Sequence, residues 1–579
     1  MNKKAIQTVV LLLLCIIHCL WYQSNDVDDA YISYRYAQSL LEGHGFTFNP
    51  GQYVEGFSNP LWVLITTALL FIFQVKDPHT LIQFVGLFFS CGTLFLLLRC
   101  GHLLFPEEQR WSALFPPLLL VSQPGFAFYT MSGMETPMYL FWLSLALFFL
   151  LKNGFGFAVG CALGLAAWTR PEAPYFVFIF CLFGLAQQWM RNETIQWRKI
   201  LLGFVGIGAV FGPWVLFRLY YFGELFPNTY FTKKVPLTTS IQSASAYWWR
   251  YLAKTYWLTL PAFLAALLLW KKNAAIAELQ TDKSTEKDLV PDTQTAEDTS
   301  SQPEDAPEKQ SEELTASVSS TSHREIFSTH FLLAGLWLGT LGSLFILGAD
   351  WMPLHRFMVH LSLFEVLMLS AGFWAVATFV GRSKQWLRHS IAFVLLGFVM
   401  ILQFGQSGIY ASVVEELRPV HQKHFKRMGY WIRLQKEIKV VALMDIGKIA
   451  FYAKKPIIDL GGLTDKVIGK SKGTFLDKQY PVSYVFKQKP QLIIIRTDGP
   501  SQRIWKGEVT LLPQRMFGSE RRLYTHPNFK KQYKYFGTMV WGPRSERAIS
   551  PHYHLFRHRL VHFKHQKKAR SFSKPSLRK

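Results

Sequence analysis

The sequence is poor in cysteine and in acidic residues. Its 6 cysteines all precede residue 182 and show no metal-type spacing, so we expect no disulfide in the C-terminal region. The chain has no P-loop, no GxGxxG motif after a strand and no HExxH motif, which leaves a nucleotide-driven pump without support. The chain contains 38 Asp and Glu but 62 Lys and Arg, which gives a formal net charge of +24 at pH 7.

Long apolar runs dominate the chain, which is 50% hydrophobic and 16% aromatic. They predict a polytopic α-helical membrane protein of about eleven spans. The first run follows Lys3 and Lys4 and lacks a small-residue cleavage site, so we expect a retained helix with its N-terminus in the cytoplasm. The predicted spans are 5–22, 80–98, 111–128, 137–151, 154–169, 173–188, 200–217, 252–270, 327–347, 357–380 and 390–408.

The apolar run 60–75 is shorter than a typical span. If it crossed the membrane, the loop 99–110 with Arg99 and Arg110 would face outward, against the preference of basic loops for the cytoplasm. We therefore predict a juxtamembrane or re-entrant helix here. The same choice brings the SGMETP segment (132–137) to the face that carries the first loop.

Composition divides the chain into five parts. We predict a transmembrane core over 1–272, with a catalytic first external loop at 23–60, and C-terminal transmembrane helices over 326–410. Residues 273–325 are rich in Glu, Asp, Ser, Thr, Gln and Pro, which predicts an acidic, disordered cytoplasmic linker. Residues 411–555 predict a soluble extracytoplasmic α/β domain, and 556–579 form a basic tail that either docks on anionic lipid or glycan or is solvated.

Short apolar runs separated by Gly, Pro and Asp predict the strands of the soluble domain. They lie at 440–444, 457–460 and 491–496. Asp445 or Asp459 is a candidate site residue in this stretch, although a role in a turn is favoured.

Three carboxylates crowd the start of the first loop: Asp26, Asp28 and Asp29. At a bilayer edge such a cluster has like-charge and desolvation costs, which favours acid/base chemistry or a cation. The alternative is that Asp26 or Asp28 caps a helix that begins near Ala30. The polar, Gly- and Pro-rich sequence that follows is typical of a substrate-facing loop.

With this topology, several polar motifs lie on one membrane face, and such groups at membrane depth are functional-site candidates. Carboxylates facing basic residues there suit glycosyl transfer from a lipid-phosphate sugar. A carboxylate can take the acceptor's proton, and cations can stabilise the leaving phosphate. The motifs contain Asp28, Asp29, Glu135, Arg170, Glu172, Glu224, Asn228, Lys233, Lys234, Asp350, His355 and Arg356.

The sequence DDAYISYRYAQSLLEGHGFTFNPGQYVEGFSNPLW (28–62) resembles the first external loop of GT-C membrane glycosyltransferases. It is most similar to the bacterial family that contains the mycobacterial terminal β-arabinofuranosyltransferase. The resemblance extends to SGMETPMY (132–139), TRPEA (169–173), GELFPNTYFTKK (223–234), GADWMPLHRF (348–357) and DLGGLTD (459–465).

The resemblance implies a site of two carboxylates, Asp28 and Asp29, of which one is the base. The candidates for binding the donor phosphate are Arg356, His355, Lys233 and Arg35. The candidates for binding substrate are Glu135, Glu224, Asn228, Asp350 and Trp351. Structural alternatives stay open: a snorkelling Arg356, an anchoring Lys233, and an Arg170–Glu172 pair. No cofactor is certain, and a divalent cation, Mg²⁺ or Mn²⁺, is left open.

The predicted function is an inverting glycosyltransferase on the outer face of a bacterial cytoplasmic membrane. Its partners would be a polyprenyl-phosphate sugar donor, arabinofuranose-like by resemblance, a glycan, glycolipid or glycoprotein acceptor, and membrane lipid, with no nucleic acid. The alternatives are a transporter or flippase of lipid-linked glycans and a non-catalytic scaffold for glycan assembly. Charges that cluster at helix ends on one face favour the enzyme.

Overall fold

The computed structural model describes residues 3–105, 107–190, 194–253, 331–345, 352–381, 384–499, 502–505, 508–540 and 551–561. Most of the predicted span 252–270, the whole acidic segment 273–325 and most of the basic tail lie outside these residues. Two candidate substrate-binding residues, Asp350 and Trp351, also lie outside them.

The membrane part is built from helices. They are α1 (Lys3–Leu20), α2 (Ala30–Leu41), α3 (Pro60–Phe73), α4 (His79–Leu104), α5 (Phe115–Ser122), α6 (Pro124–Thr130), α7 (Thr136–Asn153), α8 (Phe157–Thr169), α9 (Ala173–Met190), α10 (Trp197–Phe222), α11 (Asn228–Lys233), α12 (Leu237–Tyr251), α13 (Phe331–Phe345), α14 (Arg356–Gly381) and α15 (Gln385–Leu434). A 3₁₀ helix, Glu107–Leu114, precedes α5. Within the described residues, 6 helices are long and apolar enough to cross a membrane: α4, α7, α9, α10, α14 and the first part of α15.

One predicted span is divided in the structure, and the run predicted as a juxtamembrane helix is short. The run 111–128 is divided by a break at Gln123, after which Pro124 begins α6. Proline lacks a backbone N–H and is favoured in the first turn of a helix, so it starts a new helix here. The helix α3 has 14 residues and would be about 21 Å long, too short for a span, as the juxtamembrane prediction requires.

The last membrane helix does not end at the predicted position. The predicted span 390–408 lies within α15, which continues without interruption for 50 residues to Leu434. The boundary predicted at residue 411 therefore falls inside a helix. The sheet of the soluble domain begins 7 residues after this helix, at Val441.

The C-terminal domain is α/β, as the sequence predicts. Its strands are β1 (Val441–Leu443), β2 (Ile457–Asp459), β3 (Leu492–Asp498), β4 (Gln502–Trp505), β5 (Glu508–Leu511), β6 (Tyr533–Val540) and β7 (Pro551–His558). Its helices are α16 (Lys448–Ala453), α17 (Lys466–Gly469), α18 (Val482–Lys487), α19 (Gly518–Thr525) and α20 (Pro527–Gln532). The three predicted strands are confirmed as β1, β2 and β3.

The main sheet has the order β2-β1-β3-β7-β6. Strand β1 is parallel to both β2 and β3, whereas β7 is antiparallel to β3 and to β6. The chain leaves β1 toward β2 on one side and later returns to β3 on the other. The carboxyl ends of β1 and β3 therefore form a topological switch point, the place where open α/β sheets commonly present a crevice.

One face of this sheet packs against the membrane part. A single buried cluster contains Val441 of β1, Ile494 of β3, Met428 of α15, Phe48 of the first loop and Trp214 of α10. The opposite face forms a separate cluster with the helices of the domain itself. Because the first loop shares a core with the sheet, burial fixes their relative position.

Candidate active site

The aspartates lie where the first loop meets the soluble domain. The carboxylate of Asp28 accepts hydrogen bonds from the backbone N–H of Gly447 at 3.2 Å and of Lys448 at 2.8 Å. These two residues follow β1, at the switch point of the sheet. A carboxylate of the first loop therefore binds the N-terminal turn of α16, the helix that follows β1 in the C-terminal domain.

Asp26 is held by the same segment through a side chain. The ammonium of Lys448 lies 2.8 Å from Oδ2 of Asp26 and donates to the backbone carbonyl of Asp26 at 3.0 Å. Nδ1 of His79 lies 3.7 Å from Oδ1 of Asp26. The Lys448 side chain is 1% exposed and that of Asp26 is 7% exposed, so this ion pair is removed from water.

The environment of Asp28 changes its acidity. Burial raises the pKa of Asp28 to about 7, while the Lys448 cation and its N–H group act in the opposite direction. The carboxylates of Asp445 and Asp29 raise this pKa further. A carboxyl group that titrates near neutral pH is well matched to a general base.

The helix that follows the aspartates begins as predicted, but no aspartate side chain caps it. Helix α2 starts at Ala30, and its N-cap residue, Asp29, makes no side-chain capping hydrogen bond. Asp28 contributes only its carbonyl, which accepts from the N–H of Tyr31 at 3.0 Å, while its side chain binds the other domain. The alternative that Asp26 or Asp28 caps this helix is therefore wrong, because the N-cap position is Asp29 and both of these side chains bind the other domain.

Arg35 serves as a brace between the loop and the domain. Its guanidinium donates to the carbonyls of Phe48 at 2.8 Å, Ala450 at 2.7 Å and Lys455 at 2.8 Å, and to Oδ1 of Asn49 at 3.2 Å. The residue is 7% exposed. With its donors directed to these acceptors, Arg35 is placed to join two backbones rather than to contact a donor phosphate.

A second polar cluster lies at the ends of the membrane helices α7 and α8. Nη1 of Arg170 lies 2.6 Å from Oε1 of Glu135, and Nε of Arg170 pairs with Glu172. Nδ1 of His360 lies 4.0 Å from Oε1 of Glu172. The Arg170–Glu172 ion pair, which the sequence left open as a structural alternative, is present. Arg170 also neutralises Glu135, a candidate for binding substrate.

Two hydrogen-bonded links connect this second cluster to the first loop. Nδ2 of Asn59 donates to Oε2 of Glu135 at 2.9 Å, and Oδ1 of Asn59 accepts from Ser33 of α2 at 3.1 Å. The carbonyl of Gly133 accepts from the Tyr34 hydroxyl at 3.2 Å. The SGMETP segment thus lies beside the aspartate loop, where the topology argument had placed it.

Arg356 begins α14, close to the same segment, and His355 directly precedes it. Arg356 is buried, with Nη1 4.0 Å from the sulfur of Met134 and its guanidinium 5.3 Å from the ring centroid of Phe357. His355 has a positive φ of 52° and packs edge-on against Tyr247, with ring centroids 4.9 Å apart. Arg356 therefore contacts Met134, the residue before Glu135, whereas His355 packs against Tyr247 of α12.

The GELFPNTYFTKK segment connects the membrane part to the soluble domain. Nδ2 of Asn228 donates to the carbonyls of Gly462 and Leu463, each at 2.8 Å. Glu224 pairs with Lys466 at 2.7 Å and with Lys470 at 2.6 Å. Lys233 is exposed at the end of α11. The structure brings Asn228 to the DLGGLTD turn and Glu224 to the lysines that follow it, rather than to the aspartate cluster.

Comparisons with known proteins cover different parts of the chain. A family model described as a domain of unknown function (DUF8728) matches residues 415–556. The terminal β-(1→2)-arabinofuranosyltransferase of Mycobacterium tuberculosis is 26% identical over 37% of this chain and 35% of its own length. The enzyme of the same name from Corynebacterium glutamicum is 24% identical over 44% of this chain and 40% of its own. The chain thus spans less than half the length of these relatives.

The crystal structure of ArnT from Cupriavidus metallidurans in the apo state aligns with nearly the whole chain. It covers 95% of this chain and 98% of that one, with a TM-score of 0.50 and 12% identity. This chain has an ArnT-like GT-C fold. Together with the apolar helices, the fold identifies a multi-pass membrane protein, and the curated relatives are glycosyltransferases.

The divalent cation that the sequence left open stays a prediction, although several carboxylate oxygens of the site are already engaged. Both carboxylate oxygens of Glu135 already accept hydrogen bonds, from Arg170 and Asn59. Both oxygens of Asp28 accept backbone N–H groups. Across the part of the chain that the structure describes, no three His, Cys, Asp or Glu side chains form a group that could hold a metal ion.

Sequence reasoning missed Lys448, which holds Asp26, and misjudged Asp445. Asp445 accepts hydrogen bonds from Tyr553 and from Arg496, whose Nη1 lies 3.3 Å from Oδ2, so it joins three strands at the switch point instead of forming a turn. Asp459 does form a turn, accepting from the N–H groups of Gly461 and Thr464. The available signal for Lys448 was its position inside the apolar run IGKIAFYA (446–453).

Proposed function

We propose that this protein is an inverting glycosyltransferase that uses a polyprenyl-phosphate sugar donor at the outer face of a cytoplasmic membrane. The observation that carries the proposal is the position of Asp28, a carboxylate with a pKa near neutrality at the junction of membrane helices and a soluble domain. A lipid-linked donor enters such a site laterally from the bilayer, and a hydrophilic acceptor enters from the aqueous side.

In the proposed reaction Asp28 is the general base. It removes the proton from the acceptor hydroxyl as that oxygen attacks the anomeric carbon of the donor, and the bond from this carbon to the phosphate oxygen breaks. A single displacement inverts the anomeric centre and needs one base, in contrast to the two carboxyl groups of a retaining glycosidase. Asp29, the next residue and the N-cap of α2, is the second carboxylate of the pair.

The leaving lipid phosphate gains negative charge, which cations at fixed positions stabilise. Arg356 is the candidate for this role, because it starts α14 beside Met134 in the SGMETP turn and guanidinium groups match phosphate oxygens well. Arg170 is committed to Glu135 and Glu172, so it maintains the electrostatic balance of the cluster.

The favoured sugar is arabinofuranose. This choice rests on the two terminal β-(1→2)-arabinofuranosyltransferases, which are the curated relatives but are matched over less than half their length. The acceptor would be a glycan, glycolipid or glycoprotein of the cell envelope. The N-terminus would be cytoplasmic and the α/β domain extracytoplasmic, since α1 begins with Lys3 and Lys4 and the aspartates follow its other end.

The test is release of polyprenyl phosphate by the purified full-length protein in nanodiscs. It would be given polyprenyl-phosphate-linked arabinofuranose, mannose and aminoarabinose in turn, with and without envelope-derived acceptor. Acceptor-dependent release from one donor, lost in Asp28→Asn, is the expected result. Asp29→Asn shows whether the second carboxylate is also required.

Asp498→Asn is the matched control, because this aspartate is 66% exposed and lies in the soluble domain. Release that survives Asp28→Asn would contradict the assignment of the base. No release from any of the three donors, although the wild-type protein binds the lipids, would favour the flippase or scaffold alternatives.

A further inference from the structure

We propose that the C-terminal domain completes the catalytic site through Lys448, which acts as a positioning residue for the aspartate cluster. This inference rests on the proposed function, because it concerns the proton affinity of the proposed base. It concerns a region whose matching family model has no known function. The ligand that this domain recognises would then be the first loop of its own chain.

Lys448 engages two aspartates with two different groups. Its ammonium pairs with Asp26 at 2.8 Å, and its backbone N–H donates to Oδ1 of Asp28 at 2.8 Å. The ammonium also lies 5.3 Å from the ring centroid of Tyr31. The start of α16 therefore sets the spacing of both carboxylates relative to the loop.

The burial of Lys448 is unlike that of the other lysines near it. Lys454, at the end of the same helix, has a side chain that is 36% exposed and pairs with the exposed Glu42. Lys448 is 1% exposed. Burying an ammonium is costly unless it is paired and hydrogen-bonded, and here the compensation comes from Asp26, in the loop of the proposed base.

Several charged and titratable groups face Asp28. From the soluble domain these are Lys448, Asp445 and Tyr553, and from the first loop Asp29. Around the Lys448 ammonium they are Asp26, Tyr31 and, through Asp26, His79 of α4. Among the groups that act on Asp28 by charge, Lys448 is the cation, and it opposes the effects of burial and of the two carboxylates.

This arrangement makes the base depend on the docking of the domain. Without the ammonium, Asp28 would keep its two backbone N–H donors but would lose the cation that opposes burial and the nearby negative charges, and its proton would be held more tightly. At neutral pH a larger fraction of Asp28 would then be protonated and unable to act as a base. The soluble domain would thus contribute to catalysis even where it does not contact the donor.

The test compares Lys448→Met with Lys448→Arg and with the control Lys454→Met. We expect Lys448→Met to move the acidic limb of the pH–rate profile upward by about one unit, which lowers the rate about tenfold below that limb. Lys448→Arg keeps the charge and should restore the profile. Lys454→Met should leave the profile of the wild-type protein unchanged, because its ion pair with Glu42 is exposed.

A second readout does not require a sugar donor. The apparent Tm of the full-length protein is measured against pH, and Asp28→Asn identifies the part of the curve that Asp28 causes. Lys448→Met should move that transition to higher pH. This readout judges Lys448 even if none of the donors supports transfer, so failure of the proposed function and failure of this inference remain distinguishable.

The inference is overturned if Lys448→Met leaves the transition where the wild-type protein has it, or if Lys454→Met moves it equally. A rate loss without any change in pH dependence would also overturn it, since that is what a purely structural lysine would produce. If Lys448→Met does not fold, Lys448→Gln, which retains a hydrogen-bond donor for Asp26 and removes the charge, is judged by the same criteria.

Discussion

Replacing Arg35 by Met tests whether this residue is a structural brace or a ligand of the donor phosphate. In the structure the guanidinium satisfies the carbonyls of Phe48, Ala450 and Lys455. Removing it leaves three acceptors without this donor, of which the Ala450 carbonyl keeps the N–H of Lys454 at 3.2 Å. Each buried acceptor left unsatisfied costs about 1–3 kcal/mol. Water entry and the relief of burying a charge offset part of the sum, so we expect a loss of about 3 kcal/mol in the stability of the junction.

Hydrogen exchange of the full-length protein in detergent measures this loss locally. About 3 kcal/mol corresponds to roughly a hundredfold faster exchange where opening controls the rate. The affected amides should be those of α16 and of Ile457, whose N–H donates to Oδ1 of Asn49, the side chain that Arg35 also binds. Arg35→Lys should give an intermediate effect, because one ammonium cannot reproduce the fork of a guanidinium.

The reasoning would be refuted by a different pair of results. If Arg35→Met left exchange at the junction unchanged and instead raised the KM for the lipid-phosphate donor, Arg35 would be a ligand of the phosphate. The expected outcome is the reverse: faster exchange throughout α16, with any loss of activity accompanied by loss of protection. Hydrogen exchange at the junction and the KM for the donor therefore both distinguish a structural brace from a phosphate ligand.

Three further predictions concern other parts of the molecule. Asp28 has a folded-state pKa of about 7, above its usual value, so its stabilising contribution is present at acidic pH and lost as pH rises through 7; Asp28→Asn should flatten the dependence of apparent Tm on pH between about 4 and 7. Asn228→Ala should destabilise the DLGGLTD turn by about 1–3 kcal/mol, seen as faster exchange there, whereas Glu224→Gln, in an exposed pair, should change it by less than about 1 kcal/mol. Gly133→Ala should lower the apparent Tm more than Gly43→Ala, because both glycines have φ near +80° but only at Gly133 would a Cβ meet a tyrosine hydroxyl; equal losses would mean that backbone strain alone matters.

Much of the architecture could be predicted from local sequence. Long apolar runs identify most of the membrane helices, and alternation of short apolar runs with Gly, Pro and Asp identifies β1, β2 and β3. The length of α15 could not be predicted this way. Its polar second half, from about residue 415 to Leu434, continues a helix whose inner face packs on the sheet through Phe425 and Met428, and tertiary packing of this kind is invisible to hydropathy.

The sequence was enough to predict the candidate residues of the first loop, but not the residues elsewhere in the chain that contact them. Asp28, Asp29 and Glu135 were identified from local motifs, and the structure places the SGMETP segment beside the aspartate loop. Lys448 lies 420 positions from Asp28 along the chain, and no pattern within either segment pairs them. Glu224 and Asn228 share a motif with conspicuous polarity, yet their hydrogen bonds join domains.

The shared core explains why one chain carries both parts. Phe48 and Phe57 of the first loop are buried in the same cluster as Ile449 of α16 and Leu492 of β3, so removing the soluble domain would expose the loop that carries the aspartates. At the same junction Gly447 and Lys448 hold the Asp28 carboxylate. The packing of the two parts and the hydrogen bonds between them therefore fix the position of the same residue. A surface enzyme that must admit a lipid donor and an aqueous acceptor needs a base that neither part alone can position. On the proposed function, the soluble domain is therefore a structural half of the active site, and a chain ending before β1 should lose the fold of its first loop along with its activity.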